Sequence, residues 1–190
     1  MKIILCRLFL VLILLSTFPL SAAAGPPKTG DDLPKISLPS PADQKDKDYL
    51  GISGPDKFTV RQIQAPVILI QILSMYCPHC QKEAPNVNIL FKMIEDNAEL
   101  KDKIKIIGVG ATNSAYETKL FRKKYKVPFP VLPDPDLLVY KQIGGEMGTP
   151  YFIGVSNDPD GQPKVIYSAA GSPGDMAEFL KTLRQFVKSR

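Results

Sequence analysis

Two cysteines, Cys77 and Cys80, stand two residues apart around Pro78 and His79. Disulfide exchange needs a thiolate as nucleophile and a second thiol close enough to resolve the mixed disulfide. A two-residue gap on a helical turn brings two sulfurs within bonding range. The first cysteine then sits at the helix start, where free N–H groups and the macrodipole favour negative charge. His79 adds to this, because its N–H or its protonated ring stabilises a nearby thiolate. On this reading Cys77 attacks and Cys80 resolves. The working group is the reversible Cys77–Cys80 disulfide, with no further cofactor.

The same pair also admits metal chemistry. Two cysteines are half a zinc site and need two more ligands. The chain holds three cysteines and one histidine, and Cys6 lies in the N-terminal segment 1–24, read below as a secretory signal. A closed Cys/His zinc site within one chain is therefore excluded. Two thiolates could still hold Cu(I), which accepts soft ligands at low coordination, so a copper-binding protein stays open as an alternative. The alternative for His79, the less favoured one given its place in the motif, is an ordinary exposed helix residue. A structural staple is a poor reading, since closing so short a loop constrains the unfolded chain little.

The N-terminus suggests the compartment. Lys2 and Arg7 give a basic start, residues 8–15 are almost wholly apolar, and Ala22-Ala23-Ala24 follows. Residues 1–24 read as a secretory signal cut after Ala24. The alternative is an uncleaved helix that anchors the protein in a membrane, but Ser16, Thr17 and Pro19 interrupt its apolar run. In an exported chain a close cysteine pair is more useful as chemistry than as a staple. The formal charge is +5 over 190 residues. Removing Lys2 and Arg7 leaves +3, too small to imply nucleic acid or an anionic membrane as partner. The cluster Lys119, Arg122, Lys123, Lys124 and Lys126 reads as a solvated helix face.

The elements that must position the pair follow from patterning. Residues 25–41 are rich in Pro, Gly and Lys and read as a flexible leader, with the domain spanning 42–190. Residues 57–63 suit a short strand. Residues 66–73 (PVILIQIL) form an apolar run broken only by Gln71, as in a central strand buried on both faces, and they open onto the cysteine motif. Cys77 can cap the next helix, with Pro78 at its first position. Val87, Leu90, Phe91 and Ile94 make its apolar face, and Pro85 falls inside it. Residues 105–109 are a second buried strand. Ser114 and Glu117 suit a capping box for a helix to about Tyr125. Residues 127–133 hold three prolines and read as an extended connection, followed by a short helix from Asp134-Pro135 to Gly144-Gly145. Residues 151–155 and 164–168 form a hairpin around the turn 157–161. Ser172-Pro173 opens the last helix, whose face is Met176, Phe179, Leu180, Leu183 and Val187. A parallel crossover followed by an antiparallel hairpin gives an α/β mixed sheet covered by helices.

Several separate features resemble the thioredoxin superfamily, most closely its exported TlpA/ResA-like branch. They are the strand leading into Cys77-Pro78-His79-Cys80, Glu83 and Pro85 in CPHCQKEAP, the run VPFPVLP followed by Asp134-Pro135, and Gly148-Thr149-Pro150 ahead of a strand. The resemblance covers about residue 36 to the end. It implies a thioredoxin fold, with a central mixed sheet flanked by helices and an extra N-terminal strand or hairpin. It also implies a thiol–disulfide oxidoreductase of the bacterial periplasm. Its partners would be protein thiols or disulfides as substrate and a redox partner protein. Pro150 would be cis and face the disulfide, and the Thr149 backbone would pair with a substrate strand. Glu83 would manage the cysteine protons, its alternative being an ordinary exposed helix glutamate. Thioredoxins carry a buried acid six residues before the first cysteine, whereas this chain has Gln71. The Pro-His pair resembles the oxidant DsbA, while the scaffold resembles reductants. A peroxiredoxin-like peroxidase is the other enzyme reading. Ser74 fits one offset of that family, but Ile70 stands where a proline is required.

Overall fold

The computed structural model describes residues 25–187 apart from Pro55 and Asp160. The signal at 1–24, with Cys6, lies outside the described residues. Strand β1 (Val67–Leu73) is the centre of a five-stranded sheet and is buried along its whole length. It pairs in parallel with β2 (Ile104–Ala111) and antiparallel with β4 (Tyr151–Ser156). The short β3 (Val131–Asp134) flanks β2, and β5 (Lys164–Ala170) flanks β4, giving the order β3-β2-β1-β4-β5. The prolines of 127–133 confine β3 to four residues.

Both β1–β2 and β2–β3 connections are parallel crossovers, so their helices cover one face. These are α2 (Pro78–Glu95) and α3 (Ala115–Tyr125), joined by the C-terminal α5 (Met176–Arg184). Val67, Leu69 and Leu73 meet Val87, Leu90, Phe121, Phe179 and Leu183 in that core. Ile68, Ile70 and Ile72 point the other way, into a second core. That core is closed by the short α4 (Leu138–Gln142), by α1 (Gln44–Leu50), and by Leu33, Ile36, Leu38 and Phe58. The Ser114–Glu117 capping box is present at α3. Gly110 lets α3 approach β2, since a Cβ there would lie 2.7 Å from Thr118.

Three sequence expectations need correction. Residues 25–41, read as a flexible leader, are irregular but bury Leu33, Ile36 and Leu38. The extra N-terminal strand or hairpin reduces to two isolated bridges, Asp32 with Lys164 and Leu38 with Phe58. Prolines at 34, 39 and 41 remove ladder donors and keep each bridge from growing. Residues 57–63 form a 3₁₀ turn at Val60–Gln62 instead of a strand, because the Gln62 side chain accepts the Thr59 N–H at 2.8 Å. The helix α1 was not foreseen. It ends at Gly51 in the left-handed region (φ 65°), and its Tyr49 hydroxyl accepts the Ile106 N–H at 2.8 Å, on the β2 edge that β3 is too short to reach.

The N-terminal segment also covers part of the β5 edge. Gly30 N–H donates to Val165 C=O at 2.8 Å, and Val165 N–H donates to Asp31 C=O at 2.9 Å. Asp32 pairs with Lys164 at 2.6 Å.

Candidate active site

Strand β1 ends at Leu73 and the chain turns through residues 74–76 into α2. This turn is fastened to the β2–α3 connection. The Met75 N–H donates to Asn113 Oδ1 at 2.8 Å, and Gln81 Nε2 donates to the Met75 carbonyl at 2.8 Å. The Tyr76 hydroxyl donates to one Glu117 carboxylate oxygen. The other oxygen accepts the Ser114 N–H and hydroxyl, each at 2.7 Å. These contacts hold the Tyr76 phenol above and the Glu117 carboxyl below their ordinary values.

Cys77 is the N-cap of α2 and Pro78 its first residue, where a missing N–H costs nothing. The Cys77 Sγ donates to the Thr149 carbonyl at 3.2 Å. Burial opposes ionisation of Cys77. The Thr149 side chain, the Cys80 N–H, the Cys80 thiol and the His79 N–H outweigh it, so the thiol lies below its ordinary value. Cys80 sits one turn further in and has no exposed surface. Burial and the neighbouring Cys77 charge push it up to about 12, against the pull of the Ser74 backbone and the Thr149 side chain. One thiol of the pair is thus disposed to ionise and the other to keep its proton. His79 is exposed at the surface of α2.

The Thr149–Pro150 peptide bond is cis, and Pro150 is buried. This loop forms one wall of a cleft of about 490 Å³. His79, Lys82 and Glu83 from α2 form another, and Ser172 closes it. Glu83 is 5% exposed, so the alternative of an exposed helix glutamate fails. Its Oε1 accepts from Ser172 Oγ at 3.0 Å and its Oε2 from Asn86 Nδ2 at 3.3 Å. Gln71 is buried in β1 on the same face as Leu69 and Leu73, the face that meets Cys80. The structure therefore gathers Cys77, Pro78, His79, Cys80, Glu83, Thr149 and Pro150 into one region. Sequence reasoning missed Asn86, Asn113 and Ser172 as supporting groups. The sequence marks Ser172 only as a helix opener and gives Asn113 no signal beyond its place before a capping serine.

Among the described residues no three His, Cys, Asp or Glu side chains stand together to hold a metal ion. Nor, among them, is any helix long and apolar enough to cross a membrane.

The model of the AhpC/TSA family matches residues 29–159. No curated protein matches the sequence. Solved structures share the thioredoxin fold. The thioredoxin domain of a thiol-disulfide oxidoreductase from Bacteroides vulgatus superposes with a TM-score of 0.60 at 19% identity, covering 85% of this chain and 99% of that one. A thiol:disulfide interchange protein of the thioredoxin family from Chlorobium tepidum gives 0.58 at 16% identity, covering 85% and 99%. A secreted disulfide oxidoreductase from Mycobacterium tuberculosis, homologous to E. coli DsbE, gives 0.52 at 16% identity, covering 69% and 90%.

Proposed function

The chain belongs to the AhpC/TSA family, and we propose that within it this protein is an exported thiol–disulfide oxidoreductase that acts on protein cysteines through Cys77 and Cys80. The observation that carries this reading is the asymmetry of the pair: Cys77 is half-buried and lowered, while Cys80 is wholly buried and raised.

The reaction runs in two exchanges. The Cys77 thiolate attacks one sulfur of a client disulfide, and the other client sulfur leaves as a thiolate that takes a proton. Cys80 then loses its proton and attacks the Cys77 sulfur, releasing the second client thiol. Two electrons pass to the client and the Cys77–Cys80 disulfide remains. The reverse sequence oxidises a client dithiol. Proton loss from Cys80 needs an acceptor. Gln71 cannot serve, and Glu83 is the buried carboxylate nearest in role. Thr149 presents main chain beside the attacking sulfur, where an extended client can pair with it.

Stabilising the Cys77 thiolate favours the dithiol state, so the centre is relatively oxidising. Its potential is expected above the roughly −270 mV of thioredoxin. The compartment is the periplasm or its equivalent, with the signal at 1–24 as support. Redox titration against glutathione, together with trapping of clients, tests the reading. Cys80→Ser should accumulate mixed disulfides on Cys77. Capture on Cys80 in Cys77→Ser instead, or no exchange at all, refutes the assignment. The family also includes the peroxidase reading. Hydrogen peroxide turnover faster than disulfide exchange would favour it, although Ile70 is fully buried where that chemistry requires a proline.

A further inference from the structure

The outer face of α3 carries more than the solvated charge its sequence suggests. Tyr116, Leu120 and Lys123 fall at i, i+4 and i+7, one stripe of the helix. Lys119 borders it on one side and Lys124 on the other. All five are exposed, Tyr116 at 74% and Leu120 at 40%. Thr118 and Phe121 face inward, and Arg122 is tied to Asp46 at 2.5 Å. Among the described residues, Lys119, Lys123 and Lys124 make no ion pair. The one carboxylate of the helix, Glu117, is turned toward Tyr76 and Ser114.

The Tyr76–Glu117 bond joins the first turn of α3, which also carries Tyr116, to the reactive centre. Tyr76, the residue before Cys77, is 63% exposed and is held by Glu117, the neighbour of Tyr116. Exposed apolar side chains on two fastened elements, Tyr76 before Cys77 and Tyr116 with Leu120 on α3, thus make up a track beside Lys119, Lys123 and Lys124, which form no salt bridge among the described residues, Lys124 lying over the Tyr125 ring at 5.1 Å. We propose that this track docks the client polypeptide, and that the matching client segment is acidic with one or two large apolar side chains, close in sequence or space to its reactive cysteine. The inference rests on the oxidoreductase reading above and adds the class of client. Large apolar side chains surrounded by cations of one sign suit a partner that supplies apolar contact and opposite charge together. A basic client segment is repelled there, and a polar one leaves Tyr116 and Leu120 uncovered.

Three short peptides test this. Each carries one cysteine as a mixed disulfide with 2-mercaptoethanol and the same leucine and phenylalanine, flanked by Asp/Glu, by Ser/Gln or by Lys/Arg. Reduced protein converts each to peptide thiol and free mercaptoethanol while forming its own Cys77–Cys80 disulfide. In each protein the rate is divided by that for bis(2-hydroxyethyl) disulfide. At low salt the acidic peptide should react at least about tenfold faster than the basic one, with the ratio shrinking as salt rises. K119E/K123E/K124E should invert the order, and K119Q/K123Q/K124Q should flatten it should the first variant fold poorly. Y116A/L120A should slow the acidic peptide severalfold. Equal rates for all three peptides, with the small disulfide still turned over, overturn the docking surface alone. Failure on the small disulfide overturns the oxidoreductase reading beneath it. Equal peptide rates with lysine-dependent binding to phosphatidylglycerol vesicles reassign the face to lipid. Equal rates with a dimer lost in Y116A/L120A reassign it to a second copy.

Discussion

The Cys77 thiol and the Thr149 main-chain carbonyl, 72 residues apart in sequence, meet at 3.2 Å. The contact joins the start of α2 to the loop before β4, so the nucleophile and the backbone beside which a client would lie are positioned together. The Thr149 side chain also favours the Cys77 thiolate. Thr149→Val should therefore move the alkylation midpoint of Cys77 upward, toward the ordinary 9.0. Iodoacetamide rates against pH, read at each cysteine by mass spectrometry, check this. Cys80 should stay unmodified in the folded dithiol form throughout that range.

The two thiols act on stability with opposite signs. Cys80 has a folded pKa of about 12 against 9.0 in the free thiol. Its contribution is complete below 9.0 and is lost as pH climbs toward about 12. Cys77 is lowered, so its contribution is present above 9.0 and is lost as pH falls through its folded value. The dithiol form should lose about 2–3 kcal/mol between about pH 9 and about pH 11 through Cys80, a slope the disulfide form lacks. Chemical denaturation of both forms in parallel measures the difference.

Glu83→Gln keeps the shape of the cleft wall and the Ser172 contact but cannot take a proton. Turnover of a client disulfide near neutral pH should fall roughly tenfold or more, as for loss of a general base. First attack by Cys77, followed by single-turnover mixing with Cys80→Ser as background, should change far less. An equal loss in both steps would show that Glu83 acts on Cys77 instead.

Asn113→Ala removes the acceptor for the Met75 N–H in a part-buried turn. Leaving that donor without a partner should cost about 1–3 kcal/mol, and the cysteine loop should exchange its amide hydrogens faster. Denaturant titration and hydrogen exchange report the two effects separately.

Much of this site was legible in the chain itself. The apolar run before Cys77, the proline after it and the Ser114–Glu117 box are local patterns with local causes, and each produced its element. The pairing of Thr149-Pro150 with Cys77 came through resemblance, because no periodicity connects residues so distant. The partners of Glu83 were not readable. Ser172 reaches it from beyond β5, and only the tertiary fold decides which hydroxyl meets a buried carboxylate. The segment 25–41 misled for a related reason. Its prolines and lysines look like linker, and the three apolar residues that enter the core obey no regular period. Helix α1 is short and mostly charged, so what gives it a place is its two anchors, Tyr49 on the β2 edge and Asp46 on Arg122.

The hydrogen bonds of Gly30 and Asp31 to Val165 bear on how this protein can be handled. A version trimmed to begin at residue 42 would strip the outer rim of β5 and leave the amide and carbonyl of Val165 facing water. Bare strand rims recruit other molecules, so such a truncate should clump or form adventitious pairs although every cysteine is intact. Recombinant forms should begin ahead of Gly30, with affinity tags placed outside that stretch.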